Sequence, residues 1–268
     1  MARRTILALG GHEFSRKLGN EAIRDYILAL APGPKPRICL LPTASGDPED
    51  QITAFRASLG GLRCELSHLS LFRLEHEAVN LAPYLRAQDL IYVGGGSMVN
   101  LLAIWRAHGI DEILRDCWSH GVVLVGQSAG AMCWFDWGVT RSAGAARLVA
   151  GLGLVPGILS VHYHRDPERR RTLLDAVAER HIPGHGIDDG AGVIIRGRAL
   201  TASVSARADA AAWRVTPDGR GRARETRLEA VQLPSPRPAI DEAPAAVIEM
   251  RSLRAARLAA SRGAWSRR

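Results

Sequence analysis

A serine, a histidine and an aspartate spread through the middle of this 268-residue chain are the residue types of a hydrolytic nucleophile system. Ser128 lies in Gly126-Gln127-Ser128-Ala129-Gly130, a G-x-S-x-G pattern. Val122, Val123, Leu124 and Val125 before it read as a buried strand. Ala131-Met132-Cys133-Trp134-Phe135 after it can begin a helix. A serine on a sharp strand-to-helix turn needs small neighbours, because strand and helix approach closely there and the hydroxyl is pushed out above the sheet. The free N–H groups and positive dipole end of the following helix would then face a developing oxyanion.

Ile158 to Val161 suits a strand, and His162 sits where that strand should end. Histidine is the usual base for a serine nucleophile, and composition alone does not choose between His162 and His164. The two also form an H-x-H pair. No carboxylate or cysteine stands at a suitable partner spacing, so neither a metal nor a cofactor is expected. Gly186-Ile187-Asp188-Asp189-Gly190 is a turn before a strand. Asp189 there could orient the histidine, with Asp188 its competitor, although aspartate before glycine is also an ordinary turn residue.

The elements that must position these side chains alternate. Strands are expected at Thr5–Leu9, Ile38–Leu41, Arg63–Leu69, Leu90–Val93 and Val122–Val125. Helices are expected at Lys17–Ala31, from Asp47 as cap to about Ser58, at Met98–Ala107 and at Asp111–His120. That alternation predicts an α/β fold, a mostly parallel sheet with helices on both faces. Two strand ends are glycine-rich, the serine turn and Gly94-Gly95-Gly96-Ser97, and in a parallel sheet both emerge at the carboxyl edge. The triple glycine could form half of an oxyanion hole, with the Ala129 N–H as the other half. It lacks the spacing and lysine of a phosphate-binding P-loop, and a plain tight turn also fits it. Past the histidine a helix is expected over Pro167–Val177, followed by strands at Ala191–Ile195 and between Ala199 and Val215. Arg220 to Arg227 reads as a loop or edge hairpin.

Formal net charge is +8, with 47% hydrophobic and 23% charged residues. The arginines are spread along the chain, so a solvated surface is expected rather than a nucleic-acid site. Cys39, Cys64, Cys117 and Cys133 show no C-x-x-C spacing and fit reduced thiols in a cytoplasmic protein. Ile6 to Leu9 is too short an apolar run for a signal peptide, and no stretch approaches the ~20 apolar residues of a membrane span. The expected division is a catalytic domain over 1–233 and a linker with a basic tail over 234–268. A helix from Ala245 to Arg262 in that tail could serve self-association.

Val93-Gly94-Gly95-Gly96-Ser97, Gly126-Gln127-Ser128-Ala129-Gly130-Ala131, His162-Tyr163 and Gly186-Ile187-Asp188-Asp189-Gly190, in that order, resemble the peptidase E (aspartyl dipeptidase) family. The resemblance covers about residues 5 to 215, and the related cyanophycinases share the scaffold. It implies a fold like that of class I glutamine amidotransferases, with a serine replacing the nucleophilic cysteine. Carried over, Ser128 is the nucleophile and His162 the base. Gly95, Gly96 and Ala129 surround the oxyanion, and Asp189 matches a position that is glutamate in the best-known members. The loop after the histidine is shorter here. The basic residue that holds the substrate carboxylate has only nearby candidates, Arg165, Arg169 and Arg170. The resemblance thus implies a serine peptidase acting on small peptides, in first place a dipeptidase preferring N-terminal aspartate. The alternatives are a cyanophycinase-like peptidase cutting β-aspartyl-arginine, and a non-catalytic or nucleic-acid-binding protein on the same fold.

Overall fold

The computed structural model describes residues 4–11, 20–76 and 80–234. The start expected for the first helix at Lys17, and the tail beyond Pro234 with its helix, lie outside these residues.

The described strands are β1 (Thr5–Leu9), β2 (Arg37–Leu41), β3 (Glu65–His68), β4 (Leu90–Val93), β5 (Val123–Gln127), β6 (Phe135–Thr140), β7 (Arg147–Ala150), β8 (Val155–Val161), β9 (Gly184–Ile187), β10 (Ala191–Arg196), β11 (Ala199–Ser205), β12 (Ala212–Pro217), β13 (Ala223–Arg227) and β14 (Ala230–Gln232). The helices are α1 (Asn20–Leu30), α2 (Glu49–Leu59), α3 (Leu81–Arg86), α4 (Met98–His108), α5 (Ile110–Ser119), α6 (Ala129–Met132) and α7 (Pro167–Arg180). An eight-stranded sheet has the order β14-β11-β10-β1-β5-β4-β2-β3, and its five strands from β1 to β3 run parallel. The apolar runs of β1, β2, β4 and β5 are near-continuous because both faces are covered, while β3 at the edge is half exposed. Ile6 and Ala8 of β1 face one core with Leu101, Trp105 and Leu114 of α4 and α5. Leu7 and Leu9 face the other with Ile23, Ile27, Ile52 and Phe55 of α1 and α2.

The sequence reading did not anticipate a second, six-stranded sheet, order β13-β12-β9-β8-β6-β7. On it α7 packs Leu173 and Val177 against Ile158, Tyr163 and Val215. β9 belongs to this sheet and β10 to the first, so the turn between them, carrying Asp188 and Asp189, passes from one sheet to the other.

Two local expectations are corrected. Asp47 does not cap α2. The cap position is Pro48, and Asp47 is buried at φ 55, its carboxylate accepting from Ser70 Oγ (2.9 Å) and the Phe72 N–H (3.1 Å). Tertiary donors outcompete the local cap here. The helix after the serine is one turn, α6, and Phe135 already begins β6. A single turn carries little macrodipole, so the dipole contribution expected of the helix after the serine is small.

Candidate active site

The ends of β1, β4 and β5 in the first sheet and of β8 in the second supply the residues of the site. β5 delivers Ser128 in a strained backbone conformation, φ 51 and ψ −113. Such a residue costs about 1–3 kcal/mol and is held only where its surroundings over-determine it. They do so through two glycines. A Cβ on Gly126 would lie 2.8 Å from the Ala131 nitrogen, and one on Gly130 would lie 2.5 Å from the Val93 carbonyl oxygen. Strand and helix therefore touch backbone to backbone, as the G-x-S-x-G spacing requires.

His162 follows the end of β8, also at positive φ (54°). Ser128 Oγ lies 2.9 Å from His162 Nε2, and His162 Nδ1 is in a short contact with Asp189 Oδ1. An ionised carboxylate only accepts, so Nδ1 carries the proton, and Nε2 accepts from the serine hydroxyl. Arg165 Nη1 donates to the other oxygen of Asp189 at 3.3 Å. Burial opposes the Asp189 charge, but the hydrogen bond and charge of His162, with those of Arg165, outweigh it and hold its pKa below the usual carboxylate range. Asp189 is thus kept ionised beside the imidazole.

The neighbouring pair is separate. Asp188 Oδ1 accepts from the His164 N–H (3.0 Å) and contacts His164 Nδ1 (2.9 Å), while Oδ2 accepts from the Ala211 N–H (3.1 Å). His164 packs on the Trp213 ring at 4.9 Å. The two histidines therefore sit on different carboxylates, and only His162 is placed on the serine. Among the described residues no group of three His, Cys, Asp or Glu side chains is gathered to hold a metal ion. Cys133, five residues after the serine, is buried, and burial raises its thiol pKa well above the ordinary value, which leaves it inert.

Beyond the serine, a Cβ on Gly95 would lie 3.3 Å from Ser128 Cβ. Among the described residues, the N–H groups of Gly95 and Gly96 donate to no backbone acceptor. Gly96 has φ 142, and a Cβ there would lie 2.8 Å from the Ser45 nitrogen, so the loop is pinned against the end of β2. One site residue was missed in the sequence, where Gly11 reads as a strand terminator. It pairs with Asp189 in a β-bridge, and a Cβ on it would lie 3.0 Å from His162 Cε1 and 2.9 Å from Asp189 Cγ. Gly-Gly ending a strand was the available signal.

The model of peptidase family S51 matches residues 6–203 of the chain. The chain belongs to peptidase family S51. It is 41% identical over 211 residues to the uncharacterized peptidase YgaJ of Bacillus subtilis (strain 168), an alignment covering 78% of this chain and 91% of that one. The fold is also that of a solved peptidase from an acI-B1 actinobacterium (TM-score 0.60, 20% identity, 86% of this chain and 96% of that one). A candidate peptidase E from Listeria monocytogenes EGD-e, known at 1.5 Å, aligns with a TM-score of 0.56 at 19% identity, covering 76% and 99% of the two chains. The molecule is a serine-type peptidase on the class I glutamine amidotransferase-like fold.

The three candidate arginines of this S51 peptidase have different surroundings. Arg170 is committed to Glu225 by two bonds (3.0 and 2.6 Å). Arg169 is mostly buried between Asp166 (3.2 Å) and the Val139 carbonyl oxygen (3.4 Å). Arg165 alone touches the site, and its side chain is 82% exposed. Of these three candidates for the one basic residue, Arg165 is the one bonded to Asp189. Arg169 and Arg170 are already spent on protein partners.

Proposed function

We propose that this S51 peptidase is a dipeptidase preferring an N-terminal aspartate and working through Ser128, His162 and Asp189. The observation that carries the reading is the unbroken line from Ser128 Oγ to His162 Nε2 and from His162 Nδ1 to Asp189. Ser128 Oγ attacks the peptide carbonyl while His162 takes its proton. His162 then returns that proton to the leaving amine, and a water molecule, activated in the same way, releases the acyl group. Asp189 holds the imidazole tautomer and stabilises the imidazolium. The N–H groups of Gly95, Gly96 and Ala129 receive the oxyanion. The tail from residue 234 takes no part in these steps.

Arg165 supports the acidic preference. It is exposed, its recorded tie is one 3.3 Å bond, and a guanidinium suits a bidentate carboxylate grip. A dipeptide panel of Asp-X, Asn-X, Glu-X, Ala-X and β-Asp-Arg tests the reading. Asp-X should exceed Asn-X by about tenfold or more in kcat/KM, because a neutral amide leaves the cation unpaired. Arg165→Gln should remove most of that gap. Equal rates on Ala-X and Asp-X would refute the acidic pocket, and a preference for β-Asp-Arg would move the enzyme to the cyanophycinase-like class.

A further inference from the structure

The residue before the nucleophile has an unusual setting. Gln127 ends β5, and its Oε1 accepts a hydrogen bond from the Tyr92 hydroxyl at 2.8 Å. Tyr92 is buried on β4, the strand paired with β5, so the carboxamide is anchored from inside the core. With the oxygen held there, the NH2 end is the one presented away from Tyr92. Its direction is set by a second observation. Gln127 Nε2 and Ser128 Cβ each lie 3.3 Å from the point a Cβ on Gly95 would occupy. That point is vacant only because residue 95 is glycine. The space above it is therefore bordered by the nucleophile's own side chain, the Gly95 backbone and an oriented amide donor. His162 and Asp189 approach from the other flank, where β1 ends and β10 begins. Among the described residues Gln127 Nε2 donates to no protein acceptor.

We propose that Gln127 is a further catalytic residue whose Nε2–H donates to the oxyanion of the tetrahedral intermediate, beside the backbone N–H groups. The step balances simply. As the bond from Ser128 Oγ to the carbonyl carbon forms, the carbonyl π pair moves onto oxygen, and the serine proton goes to His162. Gln127 transfers no proton and stabilises the new negative charge. An amide anchored by Tyr92 is preorganised for this, since it need not reorient as charge develops. The inference rests on Ser128 being the nucleophile.

The test uses the full chain with Gln127→Leu, which removes the donor at similar volume. A second variant, Gln127→Glu, keeps an acceptor for Tyr92 but places a negative charge at the oxyanion. Gln127→Leu should lower kcat about 10²-fold on every peptide hydrolysed, with KM little changed, as loss of one oxyanion donor does. Gln127→Glu should lose at least as much at neutral pH. Affinity for a peptide boronic acid, which forms a tetrahedral adduct with the serine, should weaken in parallel. Unchanged kcat, a rise in KM alone, or a loss confined to peptides with one kind of side chain would each overturn the proposal. Thermal melting separates these results from misfolding. If Ser128→Ala still turns over, the nucleophile assignment itself has failed. If Ser128→Ala is dead and Gln127→Leu is fully active, only the role of Gln127 has.

Discussion

Gly11→Ala should disable the enzyme without unfolding it. The added methyl would lie 2.9 Å from Asp189 Cγ and 3.0 Å from His162 Cε1. Asp189 Oδ1 lies closer still, and ordinary non-bonded contact is roughly 3.5–4.0 Å, so the carboxylate must withdraw by about 1 Å or more. The backbone of Gly11 shows no positive φ, so alanine is tolerated conformationally and the strain falls on the side chains. Asp189 is the end of a short flexible side chain with 26% exposure, and it can move aside at small cost in stability. Moving it tilts the imidazole, and a misplacement near 1 Å costs about 10² in rate. Steady-state kinetics should show kcat down about 10²-fold with Tm nearly unchanged. Gly10→Ala is the control. Its methyl would meet the backbone, 2.6 Å from the Ile187 oxygen and 2.7 Å from the Asp188 carbon, and the backbone cannot swing away. That variant should lose about 1–3 kcal/mol of stability, the usual cost of overpacking. Activity of Gly11→Ala within about threefold of wild type would refute the claim that Gly11 exists to admit the Asp189–His162 contact.

Other outcomes follow from the same geometry. Ser128→Ala should lower turnover on the order of 10⁴-fold or more while keeping the melting profile, and wild-type-like rates would refute the nucleophile assignment. Glu225 has its pKa lowered from 4.5, first by the hydrogen bond from Arg170 and against the opposing effect of burial. Its folded value lies below its unfolded one, so its contribution to stability is present above about pH 4.5 and is lost as pH falls through the folded value. Tm of wild type should exceed that of Glu225→Gln by about 2–4 °C near pH 7, equivalent to ~1 kcal/mol for a pair with Arg170 partly exposed, and the gap should shrink below pH 4.5 and close as pH falls through the folded value. A gap that persists at low pH would show that the tie works through packing instead.

The serine turn was legible because everything it needs is contiguous. An apolar run for a doubly buried strand, glycines where strand and helix touch, and a serine between them all fall within Val122–Gly130. The parallel sheet was legible for the same reason, since its strands are buried on both faces and read as short apolar blocks. The second sheet was not. β7 is Arg147-Leu148-Val149-Ala150, only four residues long and with none of them buried at the sheet edge, so its three apolar residues do not stand out from the Gly/Ala-rich stretch around them. The choice between His162 and His164 also waited for tertiary structure. In an extended segment they would face the same way, but the positive φ at His162 breaks the extension and sends them to different aspartates. The arginines were ambiguous because a charged side chain is defined by its partner. Arg170 finds its partner 55 residues later, in Glu225 on β13, and no local spacing carries that information. The sequence by itself therefore determined the serine turn and the strand edge that bears it. Only the meeting of two sheets decided which histidine, which aspartate and which arginine stand beside Ser128, because those contacts join segments that no short-range rule connects.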